Sequence, residues 1–587
     1  MKQHSKLSLP ILLFFAVFIQ LATLQVAIGQ STTAKLDELM NLYTEYGQFN
    51  GSVLVAEKGK VIYEKGFGMA NMEWDIPNQS DTKHRLGSIT KQFTSMLILQ
   101  LVEQGKLKLD IPITTYLPDY NKSNGDKITI HHLLTHTSGT PNYTAFPGFF
   151  RDSSREPYTP DEFVKVFADS TLQFTPGEKF NYSNSGYFLL GVIIEKVSGK
   201  SYEEVLQENI FKPLKMKNSG YDHHSTILKN RATGYEKTGN TYINANYLDM
   251  SIPYAAGSLY ATVEDLYLWD QALYTNKLLS KKYMDLLFTK HIPAFGGHYG
   301  YGWGVNKVPN GEANDSLKVI SHGGGINGFN TLISRFPTDK NLIVLFNNTG
   351  GAALNEMSKA IRGILYNNPY EMPKRSLAYS LFEDIKKQGV AKALIQFNEN
   401  KKSDKYALKE NEMNMTGYQL LNANMVKEAI AVFKLNVDAF PKSSNVYDSY
   451  GEALLKNGEK EKGIENYKKS IELNPANQGG IDVLKKLGVD TGNLVKEIVV
   501  DEAILESYVG KYELNPGFIL AVTKEGKQLK TQATGQSQVD IFPKSDNVFY
   551  LKVVEAQLTF NKNENGVVVS VTLHQGGQEL VGKKLTE

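Results

Sequence analysis

The sequence predicts a multidomain chain: an α/β unit with one antiparallel sheet faced by helices, then an all-α repeat segment, then a small antiparallel β barrel or sandwich. Three observations carry this. Strand-like runs stand at both ends of residues 30–366, with helical and loop-rich sequence between them. Gly417, Ala429, Phe433 and Pro441 recur 34 residues later as Gly451, Gly463, Tyr467 and Pro475. From residue 501 onward, short alternating or apolar runs are separated by turns such as Glu525-Gly526, Asn563-Glu-Asn-Gly566 and Gly576-Gly577.

The N-terminus reads as a targeting segment. Lys2 and Lys6 precede or flank the apolar run Ile11–Ile19, and Ala27-Ile28-Gly29 offers the small residues of a cleavage site. The run is too short to span a bilayer and no later segment resembles a membrane helix, so the expectation is residues 1–29 as signal peptide and an exported, periplasmic or secreted chain without a stable membrane span. The 587 residues contain no cysteine, which excludes disulfides, thiolate metal sites, catalytic thiols and a lipidated N-terminal Cys. Lys+Arg number 64 against Asp+Glu 62, with no basic block, so no nucleic-acid partner is expected.

In the α/β unit, Leu36, Leu39, Met40 and Tyr43 predict an amphipathic opening helix, and 51–57 with 60–66 a hairpin turning at Lys58-Gly59. A helix then opens at Arg85-Leu-Gly-Ser88-Ile-Thr-Lys91 and runs through Phe93, Met96, Leu97, Leu99 and Leu101 to a cap at Gly105. It is apolar on most faces, so it belongs between layers. A separation of three puts Ser88 and Lys91 on one helical face, beside an N-terminus that favours an oxyanion. Such a pair suits an activated serine nucleophile. S-x-x-K alone is weak, arising by chance about once or a few times in such a length.

Partners follow downstream. Phe180-Asn-Tyr182-Ser-Asn184-Ser-Gly186 is a polar turn before a helix expected near Tyr187, able to present the Tyr182 hydroxyl with the Asn184 amide. Val319-Ile-Ser-His322-Gly323-Gly324-Gly325 ends a strand in bare backbone. Strands at 317–321, 329–336 and 341–347 and a helix over 353–365 close the unit.

Ser88-x-x-Lys91, Tyr182-x-Asn184 and His322-x-Gly324, in this order, resemble the three motifs of the serine β-lactamase and penicillin-binding superfamily, in the branch of class C β-lactamases, D-alanyl-D-alanine carboxypeptidases and related esterases. Residues 128–139, 174–177, 256–266 and 299–304 fit the same family's habits, so the resemblance covers roughly 31–366. It departs from S-D-N and K-T-G at the second and third motifs. The His is commoner among the branch's peptidases and esterases, which moves the expectation away from efficient β-lactam hydrolysis. The resemblance implies a β-lactamase-like fold, no cofactor and no metal, and a small-molecule or short-peptide substrate. Ser88 would attack; Lys91 and Tyr182 would share its proton; the N–H groups of Ser88 and Gly325 would form the oxyanion hole. Asn184, His322, Gly323 and Gly324 would bind substrate, His322 biasing the Tyr182 proton or meeting a substrate carboxylate. Bringing a tyrosine from about 10 towards 7 takes roughly 4 kcal/mol. A Lys91 cation about 4 Å away supplies roughly that at an effective dielectric near 20, with desolvation opposing.

Three decoys fall away. Gly323-x-Gly325-x-x-Gly328 is followed by strand-like sequence where a dinucleotide fingerprint needs a helix. His132-x-x-x-His136 lacks the Glu of H-E-x-x-H and reads as structural hydrogen bonding. No G-x-S-x-G occurs.

Residues 367–402 read as linker and helices. The 34-residue recurrence places repeats over 403–490 that resemble tetratricopeptide repeats, with a possible protein or peptide partner on their groove. Residues 501–587 form the β-rich end. The chain is thus read as an exported serine hydrolase acting on a small ester, amide or D-amino-acid peptide. The alternative is a non-catalytic peptidoglycan- or peptide-binding scaffold working through the repeats.

Overall fold

The computed structural model describes residues 32–311, 315–492, 494, 499–515, 518–534, 536–554, 556–575 and 578–585. The expected signal peptide and the Gly576-Gly577 turn lie outside the described residues. Two compact units are present, Met1–Pro373 and Lys374–Glu587. No described helix is long and apolar enough to cross a membrane.

The first unit is built on one eight-stranded antiparallel sheet. Its order is Ile292–Ala294, Gly297–Tyr299, Gly304–Pro309, Ser316–Ile326, Phe329–Phe336, Asn341–Asn347, Gly51–Glu57, Lys60–Phe67. The two ends of the segment therefore meet in the middle, with Gly51 opposite Asn347. Period-two alternation sends Leu54, Ala56, Leu342, Val344 and Phe346 to one core, and Val53, Val55, Ile343 and Leu345 to the other. Both faces are covered, which is why Asn341–Asn347 is buried throughout and reads as an unbroken apolar run. Residues 32–45 and Leu354–Leu365 cover the second face.

The first face carries Thr90–Glu103, buried from Thr90 to Leu101. A helix buried all round needs a partner for each polar side chain. Thr94 Oγ1 donates to Ala255 O at 2.7 Å, and the Gln92 side-chain oxygen accepts Trp269 Nε1–H at 3.1 Å. A small three-stranded sheet orders His84–Arg85, Leu259–Ala261 and Gly220–Tyr221. The Ser88 turn and the Tyr254–Gly257 helix thus come off adjacent strands.

In the second unit, helices Glu410–Asn422, Val426–Ala439, Ser444–Lys456 and Lys460–Leu473 form two successive hairpins. A Cβ on Gly417 would lie 2.4 Å from the Phe433 ring, and one on Gly451 3.0 Å from Tyr467, so small residues sit where the paired helices cross. The chain ends in a closed eight-stranded barrel over 510–584, with Tyr512 of the first strand pairing Lys584 of the last. This decides between barrel and sandwich.

Candidate active site

Ser88 lies in a 3-10 turn, Gly87–Ile89, that runs straight into Thr90–Glu103. No side chain caps the turn or the helix. Gly87 has φ +55°, and a Cβ there would lie 2.9 Å from both Gly325 N and Gly325 O. Only a glycine lets the Ser88 turn lie against the Gly323–Gly325 backbone.

The glycine run sits differently from the expectation. It does not follow the strand; it lies inside Ser316–Ile326, with His322 opposite Ile333 and Gly325 opposite Asn330. On the other side, pairing with Gly304–Pro309 stops at Ser321. The edge from His322 to Ile326 has no strand partner on that side among the described residues, and it borders the Ser88 turn.

Gly324 is held by packing: a Cβ would fall 1.9 Å from Leu86 O and 2.2 Å from Thr331 Oγ1. A Cβ on Gly325 would meet nothing nearer than Asn330 Nδ2 at 3.9 Å, and one on Gly323 nothing nearer than Thr331 O at 3.7 Å. Gly324→Ala is expected to cost about 3 kcal/mol or more through displaced backbone, whereas Gly325→Ala stays within about 0.5 kcal/mol of the parent. Thermal unfolding of the two variants checks this. A loss of activity in folded Gly325→Ala then reports on the cleft.

Lys91 is fully buried. Its Nζ lies 3.1 Å from Ser88 Oγ, 2.8 Å from Asn184 Oδ1 and 2.9 Å from Ala256 O. It also lies 4.8 Å from the Tyr182 ring centroid and 5.6 Å from that of Tyr187. Burial pushes the Lys91 amine well below its ordinary 10.5. The Tyr182 hydroxyl hydrogen-bonds Ser88; burial raises the phenol, and the Ser88 contact lowers it by less. This reverses the arithmetic of a Lys91 cation lowering Tyr182, because desolvation outweighs attraction when a cation must be kept dry.

Asn184 opens the helix Asn184–Ser198, three residues earlier than expected. Its Nδ2 donates to Asn142 Oδ1 at 3.3 Å, which turns Oδ1 towards Lys91. His322 is half-buried; its Nε2 lies 2.9 Å from Tyr299 Oη and its Nδ1 2.6 Å from Gly323 O. Desolvation by burial, and after it the Lys91 charge, press it down to about 4, against a smaller rise from the Gly323 carbonyl. An imidazole so depressed is neutral near pH 7 and offers no charge to a substrate carboxylate. Phe295, 71% exposed, stands on the rim with its ring 6.3 Å from Tyr182.

The eight sequence-predicted residues thus come together: Ser88, Lys91, Tyr182 and Asn184 in direct contact, His322 to Gly325 on the strand edge that borders the Ser88 turn. Four others had no assigned functional role: Asn142, His136, Ala256 and Tyr299. His136, Ala256 and Tyr299 lie in phrases that marked the family without saying what the residue touches; Asn142 lies outside them. His132 closes a capping box with Thr129, its Nδ1 accepting Thr129 N–H at 3.3 Å.

A beta-lactamase family model matches residues 33–365, and a domain of unknown function, DUF3471, matches residues 495–584. A penicillin-binding protein of Bacillus subtilis (strain 168) is 31% identical over 367 residues, covering 59% of this chain and 79% of that one. A teichoic acid D-alanine hydrolase of Staphylococcus aureus is 30% identical over 335 residues, covering 56% and 78%. Among solved structures, D-amino acid amidase from Ochrobactrum anthropi SV3 in complex with L-phenylalanine amide superposes with a TM-score of 0.50 at 24% identity, over 58% of this chain and 99% of that one. That likeness is one of fold.

Proposed function

Because the chain belongs to the beta-lactamase family, a family of serine hydrolases, we propose that it hydrolyses a small ester, amide or D-amino-acid derivative through an acyl-enzyme on Ser88. The observation that carries this is the coordination of Lys91 Nζ. Two of its three neighbours, Asn184 Oδ1 and Ala256 O, are oxygens that only accept. A neutral amine has two protons, both spent there, and its lone pair then faces Ser88 Oγ.

The steps follow. Ser88 Oγ attacks the carbonyl carbon as its proton moves to Lys91 Nζ. The carbonyl oxygen takes up negative charge against the N–H groups of Ser88 and Gly325. The bond to the leaving group breaks as Tyr182 Oη gives that group a proton, and Lys91 returns one to Tyr182. Water attacks the acyl carbon by the same path in reverse and frees Ser88. Asn184 and the His322–Gly324 edge orient the substrate.

The D-alanine-releasing and penicillin-binding relatives support an acyl group of the D-amino-acid type. The N-terminal segment supports export, with the substrate outside the cytoplasm. The 34-residue spacing with Gly417 and Gly451 at the helix crossings supports tetratricopeptide-type repeats that hold a peptide or protein partner.

Intact mass after brief exposure to a fluorophosphonate, a penicillin and a D-alanyl ester tests the reading. A fluorophosphonate adduct with turnover of the ester is expected. A lasting penicillin adduct would point to a carboxypeptidase; no adduct and no turnover would return the chain to the scaffold alternative.

A further inference from the structure

We propose that His136 and Tyr299 are positioning residues, which fix His322 as its Nδ1–H tautomer through a one-directional hydrogen-bond chain running from the second motif to the third. Gly323 O accepts only, so the proton in the 2.6 Å contact with His322 sits on Nδ1. His322 Nε2 then carries a lone pair, and Tyr299 Oη, 2.9 Å away, donates to it. At the far end, Ser183 N–H donates to His136 Nδ1 at 3.1 Å, so that nitrogen carries the lone pair and the proton is on Nε2. His136 Nε2–H in turn faces Tyr299 Oη at 3.3 Å.

The third neighbour of Tyr299 Oη does not break the direction of the chain. Tyr187 also faces Tyr299 Oη, but its own proton goes to Leu134 O at 2.9 Å. The order is therefore Ser183 N–H to His136 to Tyr299 to His322 to Gly323 O. Reversing it would leave the buried Ser183 N–H without its acceptor and set a lone pair of His322 Nδ1 against the Gly323 oxygen, which is costly.

His136 is built into this place. It is 1% exposed and non-glycine, yet it has φ +57°, a conformation the surroundings must impose. Its carbonyl accepts Asn181 N–H at 2.8 Å, and its ring lies 4.3 Å from the Tyr182 ring at 31°. One residue thus grips the Tyr182 loop by two backbone N–H groups and a ring face, and passes the alignment to the glycine strand.

The consequence concerns Lys91. The groups facing His322 are Lys91, Tyr182, Tyr299 and, through Tyr299, His136. A proton on His322 would set a second cation beside the amine that must accept the Ser88 proton, and would weaken it as a base. The Tyr299 donor occupies the nitrogen where that proton would land.

The role assigned to Lys91 rests on the proposed hydrolase reading; the tautomers do not. Two-bond 1H–15N correlation spectra of the full chain labelled at histidine test the tautomers directly. The expected wild-type result is His136 protonated at Nε2, His322 at Nδ1, and His322 uncharged at pH 6. An Nε2–H tautomer or a charged ring at His322 overturns the proposal even if no substrate is ever turned over. Tyr299→Phe keeps the ring and removes the donor. His322 is then expected to titrate above its wild-type value, because the donor that fills Nε2 and favours the neutral ring is gone, and the acid limb of p-nitrophenyl butyrate hydrolysis to move up with it. At pH 8.5, kcat/KM stays within about threefold of wild type. A loss of the same factor at every pH, the mark of a merely structural role, overturns it as well.

Discussion

Ser88→Ala is expected to cut ester hydrolysis by about 10⁴-fold or more and to abolish fluorophosphonate labelling, because it removes the atom that forms the covalent intermediate. The residual rate would be that of a site still able to bind and polarise the carbonyl. The substitution should leave the fold alone. Ser88 Oγ is one of three neighbours of Lys91 Nζ, and Asn184 Oδ1 and Ala256 O stay in place when it goes. Gly87, which sets the approach of the turn to Gly325, is untouched. Thermal unfolding within about 0.5 kcal/mol of wild type therefore accompanies the loss. A variant that unfolds early would make the activity loss uninformative about chemistry; one that folds and keeps its rate would remove Ser88 from the mechanism.

What the sequence made legible was the part written in local rules. Strands 329–336 and 341–347 are found at the predicted bounds, because a period-two or unbroken apolar run between turns has few other ways to be buried. The Ser88 helix is buried all round, as its composition requires. Three barrel strands escaped. Val539–Pro543 is short and ends in proline, Gln578–Lys584 is mostly polar, and the alternation of Tyr512 and Leu514 in Gly510–Asn515 is two residues deep. Closure of the barrel, a long-range pairing of its first and last strands, supplies what these segments lack on their own.

The motifs brought Ser88, Lys91, Tyr182, Asn184 and His322 together by type and order, yet not the state of each. Whether Lys91 or Tyr182 holds the proton depends on burial, and burial is a property of the assembled layers. Pair attraction alone favours a Lys91 cation and a Tyr182 anion; adding desolvation turns both the other way. His136 was invisible as a functional residue for the same reason. Its neighbours Tyr182, Tyr299 and Ser183 are 46, 163 and 47 positions away in sequence.

Lys91→Met separates the two views of the proton. With Lys91 as the base, the variant loses about 10³-fold or more in kcat/KM, since Tyr182 is held protonated and, among the described residues, Lys91 is the side chain placed to take the Ser88 proton. The wild-type rate should then rise with pH and level off well below 10.5, as the buried amine loses its charge. Stability carries a second signature with a definite sign. The folded pKa of Lys91 lies below its unfolded value, so between the two the unfolded chain binds more protons. Wild-type stability contributed by this group is present above 10.5 and is lost as pH falls towards the folded pKa. Methionine has no such proton. The stability of Lys91→Met relative to wild type should accordingly grow as pH falls below 10.5 and shrink as pH rises towards it. A difference that does not change with pH would mean that Lys91 is charged in the folded chain, and the proton would have to leave Ser88 by way of Tyr182.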